Sequence, residues 1–155
     1  MVMRLSTMLG SVFLAGLFAA TAQAQPVKPD PSHIPMTIPK DIKWTIDTIF
    51  GEQIAYLMGN TTTPGPYIML IKWKPNQMST PHIHNTDRYV YVVSGTWWVS
   101  DSPHYDPSKT YPVPAGSWAS DKAGVIHWDG AKDEPVTLLL YGMAPATTTK
   151  VPEKK

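Results

Sequence analysis

Three histidines carry the most chemically suggestive pattern in this chain. His82 and His84 lie in Pro81-His82-Ile83-His84, and His127 follows Gly116 and Gly124. On an extended segment side chains alternate with period two, so His-x-His turns both imidazoles to one face. A third histidine from a distant strand completes a facial three-nitrogen set for a divalent metal and leaves coordination positions open. Open positions are what metal chemistry requires. Arg88 lies four residues after His84. Arginine stays protonated and cannot ligate a metal, but it forks onto a carboxylate or enolate. Two roles stand open for it: holding an anionic ligand, or an ion pair with Asp87, Asp101 or another carboxylate at the rim. Asp87 has the wrong parity on the strand to be a ligand unless a bulge re-aims it. His33, in a proline-rich stretch, and His104, in a polar loop, read as solvated surface residues.

The elements that must position these side chains are short strands. Gln53 to Met58, Tyr67 to Trp73, Tyr89 to Val93, Thr96 to Val99, Thr110 to Val113, Ser117 to Ser120, Val125 to Trp128 and Pro135 to Tyr141 are rich in β-formers, with turn residues between many of them. Thr63-Pro64-Gly65-Pro66 and Ser94-Gly95 are such turns. No helical period appears, so the pattern predicts an all-β sandwich or barrel. Trp73, Trp97, Trp98, Trp118 and Trp128 fall on predicted strands. Adjacent Trp97 and Trp98 must face opposite sides. The inward tryptophans either pack the core or wall a ligand site. Outward aromatics predict a homodimer.

The spacing of the histidines and glycines resembles the two motifs of the cupin superfamily. The first, roughly G-x5-H-x-H-x3-E-x6-G, appears here as Asn76, His82, His84, Arg88 and Gly95. The second, roughly G-x5-P-x-G-x2-H-x3-N, appears as Gly116, Lys122, Gly124, His127 and Ala131. Every spacing is kept, and four positions depart: Asn76 for Gly, Arg88 for Glu, Lys122 for Pro and Ala131 for Asn. The likeness covers about residues 44 to 143. It implies a double-stranded β-helix, the cupin jelly-roll barrel, with His82, His84 and His127 as metal ligands. It implies a divalent transition metal, iron first, with manganese, nickel, copper or zinc as alternatives. The glutamate that usually offers a fourth ligand is Arg88 here. Three-histidine cupins without that acid occur among dioxygenases, which makes a metal-dependent oxygenase on a small anionic substrate the first expectation. A metal-assisted isomerase or lyase on a sugar acid or related carboxylate is the second, with Tyr89, Tyr91 or His104 handling protons. A non-catalytic module that holds a small anionic or aromatic ligand is the third. The superfamily hosts many chemistries, so fold alone does not choose.

Composition bounds these expectations. Residues 1–24 read as a secretory signal peptide: Arg4, an apolar run from Leu9 to Ala20 too short to span a bilayer comfortably, and Ala22-Gln23-Ala24 as the cleavage pattern. The expected location is periplasmic or secreted, without stable membrane insertion. Of 155 residues, 131 then remain, a one-domain length, with 12 basic and 12 acidic side chains. A neutral chain without a basic run argues against nucleic acid as a partner and favours a small molecule. The absence of cysteine excludes disulfides and thiolate ligands. Residues 25–43, with Pro26, Pro29, Pro31, Pro35 and Pro39, suit an extended arm. Residues 144–155 read as a flexible tail.

Overall fold

The computed structural model describes Lys28 and residues 30–152. The segment assigned to a signal peptide lies outside the described residues. The chain divides into two compact units between Met36 and Thr37. In the first, Asp30 organises a turn: its carboxylate accepts from the backbone and side chain of Ser32 at 2.9 and 2.7 Å. The second unit opens with a 3-10 turn, Pro39–Asp41, whose first-turn proline has no amide to lose. Strands follow, as the turn chemistry predicts.

Among the described residues twelve strands are formed: β1 Thr45–Ile46, β2 Gln53–Met58, β3 Gly65–Trp73, β4 Gln77–Met78, β5 His82–His84, β6 Arg88–Ser94, β7 Thr96–Ser100, β8 Tyr111–Pro114, β9 Trp118–Asp121, β10 Trp128–Ala131, β11 Val136–Ala144 and β12 Thr148–Lys150. They pair antiparallel as a six-stranded sheet, β1-β2-β3-β11-β6-β9, a four-stranded sheet, β4-β10-β7-β8, and the pair β12-β5. The order mixes neighbours far apart in sequence, as a jelly roll must. The expected all-β architecture is present.

Alternation builds the core. Along β3, Tyr67, Met69, Ile71 and Trp73 turn inward, and along β11 so do Val136, Leu138 and Leu140. Val90 and Val92 of β6 and Trp97 and Val99 of β7 join them. Each such side chain contributes about 1.5–3 kcal/mol by leaving water. Trp97 is buried, while Trp98 faces the other way under the ammonium of Lys132, 3.8 Å from its ring centre. Trp128, fully buried, packs against Tyr105.

Three motif positions find local reasons. Asn76 has φ +60°, and asparagine tolerates the left-handed region where the motif has glycine. Gly95 has φ +76°, and a Cβ there would run into the Pro135 carbonyl and Val136. Ala131 is wholly buried in the core, where an asparagine side chain would need partners.

Two boundaries differ from the sequence reading. The strand expected at Val125 to Trp128 starts at Trp128 instead. His127 makes only an isolated bridge with His82, because Lys122 to Val125 closes a turn around Gly124, at φ +72°. The segment expected to trail contains β12, which pairs with β5 through Thr148 to His84, Thr149 to Ile83 and Lys150 to His82. A Thr-rich strand paired on one edge carries no apolar alternation, so its sequence gave no strand signal.

Candidate metal centre and its cavity

β5 places His82 and His84 on one face, both buried, and the turn before β10 brings His127 beside them. One ring nitrogen from each lies within 4.8 Å of the other two. The ring centres are 4.4 to 5.0 Å apart. The sequence predicts this trio, and the fold brings all three together.

Hydrogen bonds set the tautomers. His82 Nδ1 lies 2.8 Å from the Thr80 carbonyl and His127 Nδ1 lies 3.1 Å from the Val125 carbonyl. A carbonyl only accepts, so each Nδ1 carries a proton and each Nε2 is left for another partner. His84 Nδ1 lies 3.0 Å from the Thr148 hydroxyl on β12. The Nε2 atoms of His84 and His127 are buried without a partner. Burial, with Arg88 and the other two rings adding to it, pushes the His84 pKa far down. Burial also lowers that of His82, against the pull of Asp129. His82 and His84 are thus held neutral, one nitrogen of each of the three rings faces the others, and this donor set fits a divalent transition metal. Among the described residues no other group of this kind occurs.

Arg88 shares this space. The parity that takes His84 inward also takes Arg88 inward, and it lines a cavity of about 330 Å³ together with His82 and His84. Its Nη2 donates to Asp121 Oδ2 at 2.8 Å, with side chains only 15% and 9% exposed. Both roles left open for Arg88 are therefore present in part: it is paired, yet its buried Nε has no partner. The pairing acid is neither Asp87 nor Asp101 but Asp121, its direct cross-strand neighbour between β6 and β9. Asp121 Oδ2 also lies 3.8 Å from His127 Nε2. One carboxylate thus offsets the guanidinium beside the histidines. Asp87, as its parity requires, points out to Lys122 at 3.0 Å and to the Ala123 amide.

The remaining wall is mixed. Phe50, Ile54, Met69 and Ile71 make part of it apolar, and Trp73 lines it too, its Nε1–H buried without a partner, while Trp97 packs in the core. Asp129 also reaches it and is tied down: Trp97 Nε1 donates to Oδ2 at 2.6 Å, and the Ser79 hydroxyl to Oδ1 at 3.1 Å. Glu52, 7% exposed, has an Oε2 without a partner. Burial pushes its pKa up to about 7, with Asp47 and Asp129 adding and Arg88 opposing. Sequence reasoning missed Asp121, Asp129 and Glu52. Only Asp121 had a signal, an acid on a strand inside the second motif. Tyr89 and Tyr91, proposed for proton handling, are on the opposite face of β6, exposed with Trp118 and Tyr141. His104 is exposed in its loop. None of the three reaches the cavity.

Solved structures resemble this chain. The polyketide cyclase RemF from Streptomyces resistomycificus superposes with a TM-score of 0.65 at 17% identity, over 79% of this chain and 88% of that one. A sugar phosphate isomerase from a cupin superfamily, from Silicibacter pomeroyi, gives 0.60 at 19%, over 77% and 83%. An RmlC-like cupin from Shewanella frigidimarina gives 0.55 at 16%, over 70% and 89%. No protein-family model matches the chain, and no curated protein sequence is similar to it. The chain has the cupin fold, a double-stranded β-helix of the RmlC-like kind. Within that fold it presents a three-histidine group suited to a metal.

Proposed function

We propose that this protein is an exported metal-binding cupin that acts on a small anionic organic molecule, with His82, His84 and His127 as ligands and Arg88 as the anion's partner. The observation that carries this is the convergence of three imidazoles within 4.8 Å of one another, two of which, His82 and His84, line one cavity with Arg88. A divalent metal there supplies Lewis acidity and, if it is iron, redox chemistry with O₂. The residues supply the rest. The Nδ1 contacts hold the rings, Arg88 Nε–H offers a charge-assisted hydrogen bond to an anion, and the apolar wall limits water. Iron and a dioxygenase-like reaction are the first assignment. A metal-assisted isomerase or lyase is the second, supported by the likeness to the sugar phosphate isomerase.

Metal content of the protein purified after export, measured by elemental mass spectrometry beside His82→Ala/His127→Ala, tests the centre. Near-stoichiometric metal in the wild type alone is expected. No metal in either, and none taken up from Fe²⁺, Mn²⁺, Ni²⁺, Cu²⁺ or Zn²⁺, refutes it. Iron with O₂ uptake on organic acids separates the first assignment from the second. N-terminal sequencing of the exported protein should begin at Gln25. The outer face of the large sheet, where Tyr89 stacks between Trp118 and Tyr141 and Trp118 is 65% exposed, supports a homodimer through that face. Light scattering of Trp118→Lys should then report a monomer.

A further inference from the structure

Glu52 lines the cavity, and the proposed chemistry leaves it idle. It is 7% exposed, yet its Oε2 has no hydrogen-bond partner. A buried polar atom left unpaired costs about 1–3 kcal/mol unless something fills the place. Asp129 escapes that cost through Trp97 and Ser79, and Asp121 through Arg88. Glu52 Oε2 has no such neighbour, and the side chain borders the cavity rather than the packed core. Besides the histidines, two further buried groups on the cavity lining have no partner, Arg88 Nε–H and Trp73 Nε1–H. The cavity therefore offers unfilled polar points of different kind, a fixed cationic donor, an indole N–H and a carboxyl, among the apolar side chains of Phe50, Ile54 and Ile71.

We infer that Glu52 is a specificity-determining residue and that the ligand is a hydroxylated carboxylate: its carboxylate goes to Arg88, and a hydroxyl bonds to Glu52. This rests on reading the cavity as the ligand site and adds the substrate class to it. A site built to bond a hydroxyl rejects the analogue that lacks it, because the protein group is then buried unpaired. The apolar side chains that line the same cavity favour a ligand with a hydrocarbon body, such as a ring.

Rigid probes test this. Benzoate and the three monohydroxybenzoates differ only in the presence and position of a hydroxyl. Calorimetry on the wild-type protein should find at least one hydroxy isomer binding about tenfold or more tighter than benzoate. Glu52→Met should bring that ratio close to one while benzoate binds at least as well as before. Arg88→Met should weaken all four. If Glu52→Met does not fold, Glu52→Gln serves: its neutral amide should reduce the hydroxyl preference severalfold. Equal binding of all four probes by the wild type overturns the inference. So does a preference unchanged by the Glu52 substitutions, or failure of every probe to bind the folded protein. Metal content is measured on the same samples. A Glu52-dependent preference in protein that takes up no metal would support this inference and refute the metal reading.

Discussion

Charge balance around the histidines gives a prediction that is sharp in sign. Asp121 Oδ2 lies 2.8 Å from Arg88 and 3.8 Å from His127 Nε2. Asp121→Asn removes the negative charge and leaves the guanidinium facing any bound cation alone. Two unit charges about 4 Å apart at an effective permittivity of about 20 interact by about 4 kcal/mol, an upper bound here. Part of that attraction is lost to solvent screening, and we expect about 100-fold weaker Zn²⁺ binding in chelator competition. Arg88→Met should instead tighten binding by about tenfold, because it removes a like charge. The double variant should return to within severalfold of wild type, which is the coupling a mutant cycle isolates. Stability should follow a related pattern. Breaking a largely buried pair on one side costs about 3–5 kcal/mol, whereas removing both partners costs little. Unchanged affinity in Asp121→Asn, or weaker binding in Arg88→Met, would refute this electrostatic account.

Other expectations are independent of that pair. Glu52 has a folded pKa raised from 4.5 to about 7, so the folded state holds a proton that the unfolded state releases. Stability should therefore fall as pH rises through that window, by about 3 kcal/mol in all, and level off above it. Denaturant titrations at several pH values should show this slope in wild type, and Glu52→Gln should remove it. Thr148→Val deprives His84 Nδ1 of its partner and should weaken metal binding about tenfold, read by the same competition assay. Gly95→Ala meets the Pro135 carbonyl at φ +76° and should cost more than about 2 kcal/mol by thermal or denaturant unfolding. Gly116→Ala, at φ +87° in open space, should cost only about 1 kcal/mol by the same measurement.

What the sequence disclosed followed from local rules. His-x-His parity depends on the strand period, and so does the inward turn of Arg88. The alternation of Tyr67, Met69, Ile71 and Trp73 likewise marks β3 without knowledge of its partners. What it withheld depends on register between distant strands. That Asp121 meets Arg88 follows from the pairing of β6 with β9, 33 residues apart. Glu52 lies in Gly51-Glu52-Gln53 at a strand start, where an acid ordinarily faces water, and only closure of the barrel buries it. Tyr89 and Tyr91 show the converse. Their phenols suggested proton chemistry, but their parity opposite to Val90 and Val92 sends them outside.

The pairing of β12 with β5 carries a kinetic consequence. Thr148 lies 64 residues beyond His84, and contacts of such separation close late because loop entropy opposes them. The histidine strand stays an open edge until that closure. During refolding with Co²⁺ or Zn²⁺ present, tight metal capture should therefore trail the burial of Trp97 in β7, whose partner strands β8 and β10 lie closer along the chain, and the delay measures how long the centre waits for its final strand.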